Sequence, residues 1–216
     1  MDIITMLEML GKGALVSLEI FIVTMIGSLS LGLLLCFVRM SKYKILQLLA
    51  KLYISIMRGT PLMLQLFVVY FGPYYIFDIP LSSSYKLTAV FIGFVLNYAA
   101  YFAEIYRAGI ESIPIGQYEA AKMLGYGRVK TFYYIIMPQV IKRIIPPVAN
   151  ETITLVKDTS LAFTLAVAEM FTIAKQIAAG DRTVTAFILA AAIYYIFNLI
   201  VASAFGKLEK KLSYYR

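Results

Sequence analysis

Residues 111–138 read ESIPIGQYEAAKMLGYGRVKTFYYIIMP. This stretch is polar and basic, and long apolar runs flank it on both sides. Pro114 and Gly116 punctuate its start. Glu119-Ala120-Ala121-Lys122-Met123-Leu124 consists of good helix formers and predicts one short helix. Gly125 is placed to end it, and a second helix is expected from Arg128 toward Pro138. A short helix exposed beside a membrane predicts a docking element for another protein.

The membrane setting follows from composition. Of 216 residues, 61 % are apolar, and the mean hydropathy is +0.81. A soluble domain of this length cannot bury so much apolar surface, so one multi-span, all-α membrane domain is expected over residues 1–216. The chain has no His and a single Cys, Cys36. That excludes a His-based metal site, a His general base and an intrachain disulfide. No catalytic residue and no metal site are predicted. With 17 Tyr and no Trp, Tyr must supply the aromatic belt. Asp2 and Glu8 stand where a cleaved signal carries positive charge, so the first span is expected to persist.

Five spans are expected, at about 13–38, 61–77, 87–107, 144–171 and 183–205, with the polar loop at 111–143. Residues 1–12 predict a separate short interfacial helix. Arg39–Arg58 is basic and amphipathic, with Ile45, Leu48, Leu49, Leu52 and Ile56 at helical spacing, and predicts a helix that lies at the membrane surface or opens the second span. Arg58-Gly59-Thr60-Pro61 is a helix start signal, and Gly72-Pro73 predicts a kink or an early end. The fourth span is expected to unwind near Lys157–Ser160, and residues 169–182 to form a polar turn. Fifteen of the twenty Lys and Arg residues fall in 39–58, 107–143 and 207–216. The positive-inside rule places these segments in the cytoplasm, hence the N-terminus outside and the C-terminus inside. The net charge of +8 is thereby accounted for by orientation, and no nucleic acid partner is expected.

A charge inside the bilayer requires a partner or a wet cavity. Glu104, Glu151, Lys157 and Asp158 all require one. Two accounts stay open for each. In the first, the charges pair structurally, Asp158 with Lys157 and Glu104 with Arg107 one turn on. In the second, the carboxylates face a central cavity and receive a cationic group. Asn97, Tyr101 and Glu104 recur at i, i+4 and i+7 and share one helix face. A break at Lys157–Ser160 frees backbone groups to meet polar substrates, with the hydroxyls of Thr159 and Ser160 beside them.

Glu119-Ala120-Ala121, three residues, Gly125, nine residues and Ile135-Ile136-Met137-Pro138 resemble the EAA motif of permease subunits of bacterial ABC importers. Met137 stands where that pattern has Leu. Arg58-Gly59-Thr60-Pro61, Ala103-Glu104-Ile105-Tyr106-Arg107-Ala108-Gly109-Ile110 and Lys157-Asp158-Thr159-Ser160-Leu161-Ala162 resemble the polar amino acid permeases within that family. The likeness runs from about Gly13 to the C-terminus. It implies a type I ABC importer permease fold of five transmembrane helices in the bacterial cytoplasmic membrane. It implies two copies of an ABC ATPase that hold ATP and Mg, no cofactor in this chain, an identical second permease chain, and an extracytoplasmic amino acid-binding protein. It implies ATPase docking through Gly116, Glu119, Ala120, Ala121 and Gly125. It also implies a path for polar, basic amino acids lined by Asn97, Tyr101, Glu104, Asp158, Thr159 and Ser160. On that reading Glu104→Gln and Asp158→Asn abolish uptake and leave assembly intact.

Gly125-Tyr126-Gly127-Arg128-Val129-Lys130-Thr131 has the residue types of a P-loop but not its G-x-x-x-x-G-K-[ST] spacing. ATP hydrolysis is therefore expected in a separate subunit. The alternative function is an ion-coupled or facilitative amino acid transporter, which needs no docking helix. A membrane-embedded enzyme lacks a nucleophile–base set here.

Overall fold

The computed structural model describes residues 1–212, and among them the chain is helical throughout, with no strand. The last four residues of the basic tail, Arg216 included, lie outside the described residues. Helix α1, Ile3–Arg39, is one uninterrupted element. The separate surface helix expected over 1–12 is therefore part of the first span. The reason is a single buried stripe, Met6, Leu10, Gly13, Ser17, Ile20, Thr24, Ser28, Gly32 and Cys36, which steps by three or four residues through both segments. Small residues along that stripe let backbones approach closely, as membrane helices require. A Cβ on Gly32 meets Ala99 O at 3.0 Å, and one on Gly13 meets Met170 Cα at 2.8 Å.

Backbone cannot retreat as a side chain can. Gly13→Ala is therefore expected to lower stability by about 1–3 kcal/mol, the usual range for overpacking. The thermal midpoint of the detergent-solubilised chain reads this directly. Gly11→Ala is the control, because a Cβ there meets nothing within 4 Å.

Helix α2, Lys44–Gly59, and helix α3, Leu62–Phe77, meet at Thr60-Pro61 with a bend of 111°. Helix α3 passes through Pro73 without ending early and closes on Asp78 in the left-handed region, φ 53°. Helix α4, Tyr85–Glu111, is central, and α1, α2 and α3 pack on it. Helix α5, Ile115–Met123, and the four-residue α6, Arg128–Thr131, follow. A π turn, Phe132–Ile136, then leads into helix α7, Met137–Asp158, which also packs on α4. The expected loop over 111–143 is thus largely helical, and α7 runs through Pro146-Pro147.

The break expected at Lys157–Ser160 is present, since α7 ends at Asp158, but the chain does not unwind there. It tightens into a 3-10 helix, Thr159–Leu165, and turns at Ala166, φ 54°. Residues 169–182 are not a polar turn but contain helix α8, Met170–Asp181, bent 59° from the preceding helix. Its buried face is Met170, Ala174 and Ile177, an i, i+4, i+7 pattern hidden among Lys175, Gln176 and Asp181. Glu169 caps it. Its fully buried carboxylate accepts from the N–H groups of Phe171 and Thr172, each at 2.7 Å, and from the hydroxyls of Thr172 and Tyr194. Four donors satisfy a buried carboxylate that forms no ion pair among the described residues. Helix α9, Thr185–Leu212, ends the described chain. By length and composition α1, α4 and α9 each cross a membrane, and the crossings number up to five if each bent pair is one span.

Candidate functional site

Two adjoining cavities lie where α4 and α7 face the α2–α3 corner. The first, about 510 Å³, is lined by Arg58, Tyr101, Glu104, Arg143 and Glu151 among others. The second, about 390 Å³, is lined by Asn97, Tyr98, Tyr101, Glu151, Thr154 and Asp158 among others. Tyr101 and Glu151 belong to both walls.

The corner is built from polar side chains that brace backbone. Asn97, buried, donates from Nδ2 to Met57 O at 3.0 Å and to Gln65 Oε1 at 2.9 Å. Gln65 in turn donates to Met57 O and to Thr60 Oγ1. This network holds the end of α2 against α4. It leaves the Arg58 guanidinium 5.2 Å from the Tyr101 ring centroid, a cation–π contact. Arg58 pairs with no carboxylate among the described residues.

Of the charges that required an account, Glu104 has a structural one. Its carboxylate accepts from Arg107 Nε at 3.1 Å and Nη2 at 2.7 Å, and Arg39 Nε of α1 lies 3.9 Å away. Arg107 also bonds Glu111. Glu104 lines the first cavity but is already neutralised there, so Glu104→Gln acts on helix packing as well as on any ligand. Asp158 Oδ2 accepts from Tyr98 Oη at 2.8 Å, and no ion pair joins it to Lys157.

Thr159 is fully buried and its hydroxyl donates to Val156 O. The Ser160 hydroxyl donates to Lys157 O. Neither residue lies on the wall of the two cavities. The structure therefore brings together Asn97, Tyr101, Glu104 and Asp158, and leaves Thr159 and Ser160 inside their own helical turn. Wall residues absent from the predicted set include Arg58, Tyr98, Arg143, Glu151 and Thr154. Glu151, Thr154 and Asp158 stand at i, i+3 and i+7, so the spacing that marks one helix face was present in the sequence.

The second arrangement is the α5 loop. Gly116, Glu119 and Ala120 are exposed, and so is Met123, at 87 %. Their i, i+3, i+4, i+7 spacing puts all four on one outward face. Ala121 points the other way and is buried. Gly125, φ 78°, closes the helix in a Schellman turn, with Tyr126 N donating to Ala121 O and Gly125 N to Lys122 O, both at 3.0 Å. Beneath the loop, Tyr118 and Phe132 pack on Ile113, Ile136 and Val140. A Cβ on Gly116 meets nothing within 4 Å, so the chain's own packing does not require glycine there.

Comparison with known proteins shows the family. The family described as binding-protein-dependent transport system inner membrane component matches residues 20–214. The chain is 43 % identical over 205 residues to the probable amino-acid ABC transporter permease protein YckA of Bacillus subtilis, covering 94 % of this chain and 89 % of that protein. It is 43 % identical to the octopine transport system permease protein OccM of Rhizobium radiobacter, over 84 % of this chain and 78 % of that one. The L-cystine permease TcyB of Bacillus subtilis is 36 % identical over 95 % of this chain and 87 % of that protein. Among solved structures, an amino acid ABC transporter crystallised with histidines superposes with a TM-score of 0.87 at 30 % identity, covering 98 % of this chain and 99 % of that one. The inward-facing MetNI methionine transporter shares the fold, with a TM-score of 0.78 at 17 % identity over 99 % of this chain and 100 % of that one. These relatives are transport permeases and not enzymes, and the all-helical chain with its paired cavities and its exposed α5 belongs to the family of binding-protein-dependent transport system inner membrane components.

Proposed function

We propose that this chain forms the membrane path of an ATP-driven importer for polar amino acids, with basic ones preferred. The observation that carries the reading is charge disposition in the two cavities. Arg58 and Arg143 line the first cavity with Glu151, Glu151 and Asp158 line the second, and among the described residues Arg58, Arg143, Glu151 and Asp158 form no ion pair. An amino acid presents one carboxylate and one ammonium. Arg58 suits the carboxylate, because a guanidinium offers a planar donor fork. Glu151 suits the ammonium. Asp158, held by Tyr98, is then left for a cationic side chain, which is the basis of the preference for basic substrates. Asn97 positions the Arg58 corner, and Tyr101 forms the shared wall.

Two copies of this chain, identical in our reading, face one another across the path in the cytoplasmic membrane, each with five spans, N-terminus outside and C-terminus inside. A binding protein delivers substrate from outside. Two ATPase subunits hold ATP and Mg and press on the outward face of α5. Nucleotide-driven closure of the ATPases then switches the cavities between inward and outward access.

The test is uptake of radiolabelled arginine, lysine and glutamine into vesicles carrying the native complex, with ion gradients collapsed. Uptake that follows ATP and favours arginine or lysine supports the proposal. Uptake that follows an imposed ion gradient without ATP selects an ion-coupled transporter. Preference for glutamine over both cations removes the basic specificity and leaves the importer.

A further inference from the structure

A third cavity, about 560 Å³, lies within the cytoplasmic loop, apart from the two membrane cavities and beside the outward face of α5. It opens between α5 and α6. Tyr118, Tyr126 and Phe132 form its walls, Lys122 and Arg128 stand on its lining, and no acidic residue contributes. Neither cation pairs with a carboxylate among the described residues. Glu119, the nearest acid in sequence, projects from the outward face of α5, whereas Tyr118 and Lys122, at i and i+4, turn toward the cavity. The chain thus holds two cations over an aromatic-walled recess, and among the described residues no carboxylate pairs with them.

The surroundings are those of an interface. Ile115 at 71 % exposure, Leu124 at 75 % and Val129 at 70 % have no cover from this chain. Apolar anchors around a charged recess form the pattern by which one protein surface receives a side chain from another. The Schellman turn fixes Tyr126, and Tyr118 and Phe132 are anchored on the buried cluster beneath, so the recess is pre-formed.

We infer that this recess receives an acidic side chain of the ATPase subunit, so that the contact interlocks in both directions. The Gly116–Glu119–Ala120–Met123 face enters the ATPase, and an Asp or Glu of the ATPase enters between Lys122 and Arg128. The inference rests on the importer reading. It adds that pulling as well as pushing is transmitted, because a charge held in a recess resists withdrawal of the ATPase as the outward face alone does not.

The experiment uses the complex purified from native membranes and a zero-length carbodiimide, which joins an amine to a carboxylate only where the two touch. An amide between Lys122 Nζ and an ATPase Asp or Glu is expected, and Lys122→Arg, which carries no amine, removes it. In parallel, Lys122→Glu combined with Arg128→Glu is expected to weaken ATPase retention about ten-fold or more. Both positions are exposed, so the double variant folds; circular dichroism and detergent stability verify it. An intact complex in which Lys122 joins no ATPase residue, and in which the double reversal retains the ATPase at full affinity and unchanged salt sensitivity, overturns the inference. That result includes the case of a recess filled by a small free anion. A preparation that contains no ATPase defeats the importer reading itself, an outcome distinct from the others.

Discussion

Uptake through a Glu151→Gln permease is expected to fall about 30-fold or more, with membrane insertion and ATPase retention unchanged. Glu151 is half-buried and lines both membrane cavities. Removing its charge leaves a substrate ammonium desolvated without a partner, a loss of about 2–5 kcal/mol for a buried charge pair. At about 1.4 kcal/mol per ten-fold that range starts near 30-fold. Gln preserves the shape, so a loss reads as charge. Glu104→Gln is the informative contrast. Its carboxylate ties Arg107 of α4 to Arg39 of α1, so a neutral amide there leaves Arg39 without its carboxylate and Arg107 with Glu111 alone, and the expected result is a lower thermal midpoint accompanying any loss of uptake. Radiolabelled arginine uptake and detergent melting, run on both variants, separate the roles. Normal uptake by Glu151→Gln removes the cavity assignment.

Gly116→Leu is expected to leave the permease folded and to weaken its hold on the ATPase about 30-fold. The space above Gly116 is open within this chain, so the new side chain meets only what docks from outside. Central interface positions are worth about 2 kcal/mol or more when disturbed, which sets that magnitude. Co-purified ATPase and its substrate-stimulated hydrolysis are the measurements. Ala121→Leu gives the opposite pattern. Ala121 is buried at 1 % exposure on the inner side of α5, so enlargement disturbs the loop before any partner arrives. Full ATPase affinity in Gly116→Leu places the docking face elsewhere.

The long apolar helices α1, α4 and α9 were legible because the bilayer admits few solutions: a run of apolar residues of sufficient length is a helix. The α5 helix was legible from propensity and its closing glycine. Helix α8 was not, since three buried residues among polar ones look like a turn until α1 and α9 supply the surface that buries them. Nor was the continuity of α1 through Gly11 and Gly13, which depends on the backbone of residues 169–170 far along the chain. For the site, residue spacing placed Asn97, Tyr101 and Glu104 on one face correctly. What neutralises each charge was not legible, because Arg39 reaches Glu104 from another helix and helix rotation is set by packing. Arg58 reads locally as a helix start. Only the fold sets it over Tyr101. The hydroxyls of Thr159 and Ser160 bond backwards onto their own turn, a local competition that composition does not reveal.

The π turn at Phe132–Ile136, where Met137 N–H bonds back to Phe132 O, amounts to one surplus residue in an otherwise continuous α-helical run. Deleting any one of the five restores ordinary α-helical bonding and rotates everything before it by about 100° relative to α7. The span would still insert, and the loop would still fold, but Glu119 would face a different direction. Lineages descended from this architecture are thus free to substitute at the exposed Tyr133 and Tyr134 but not to shorten 132–136. A single codon lost there would break the engagement between motor and channel while leaving each part sound.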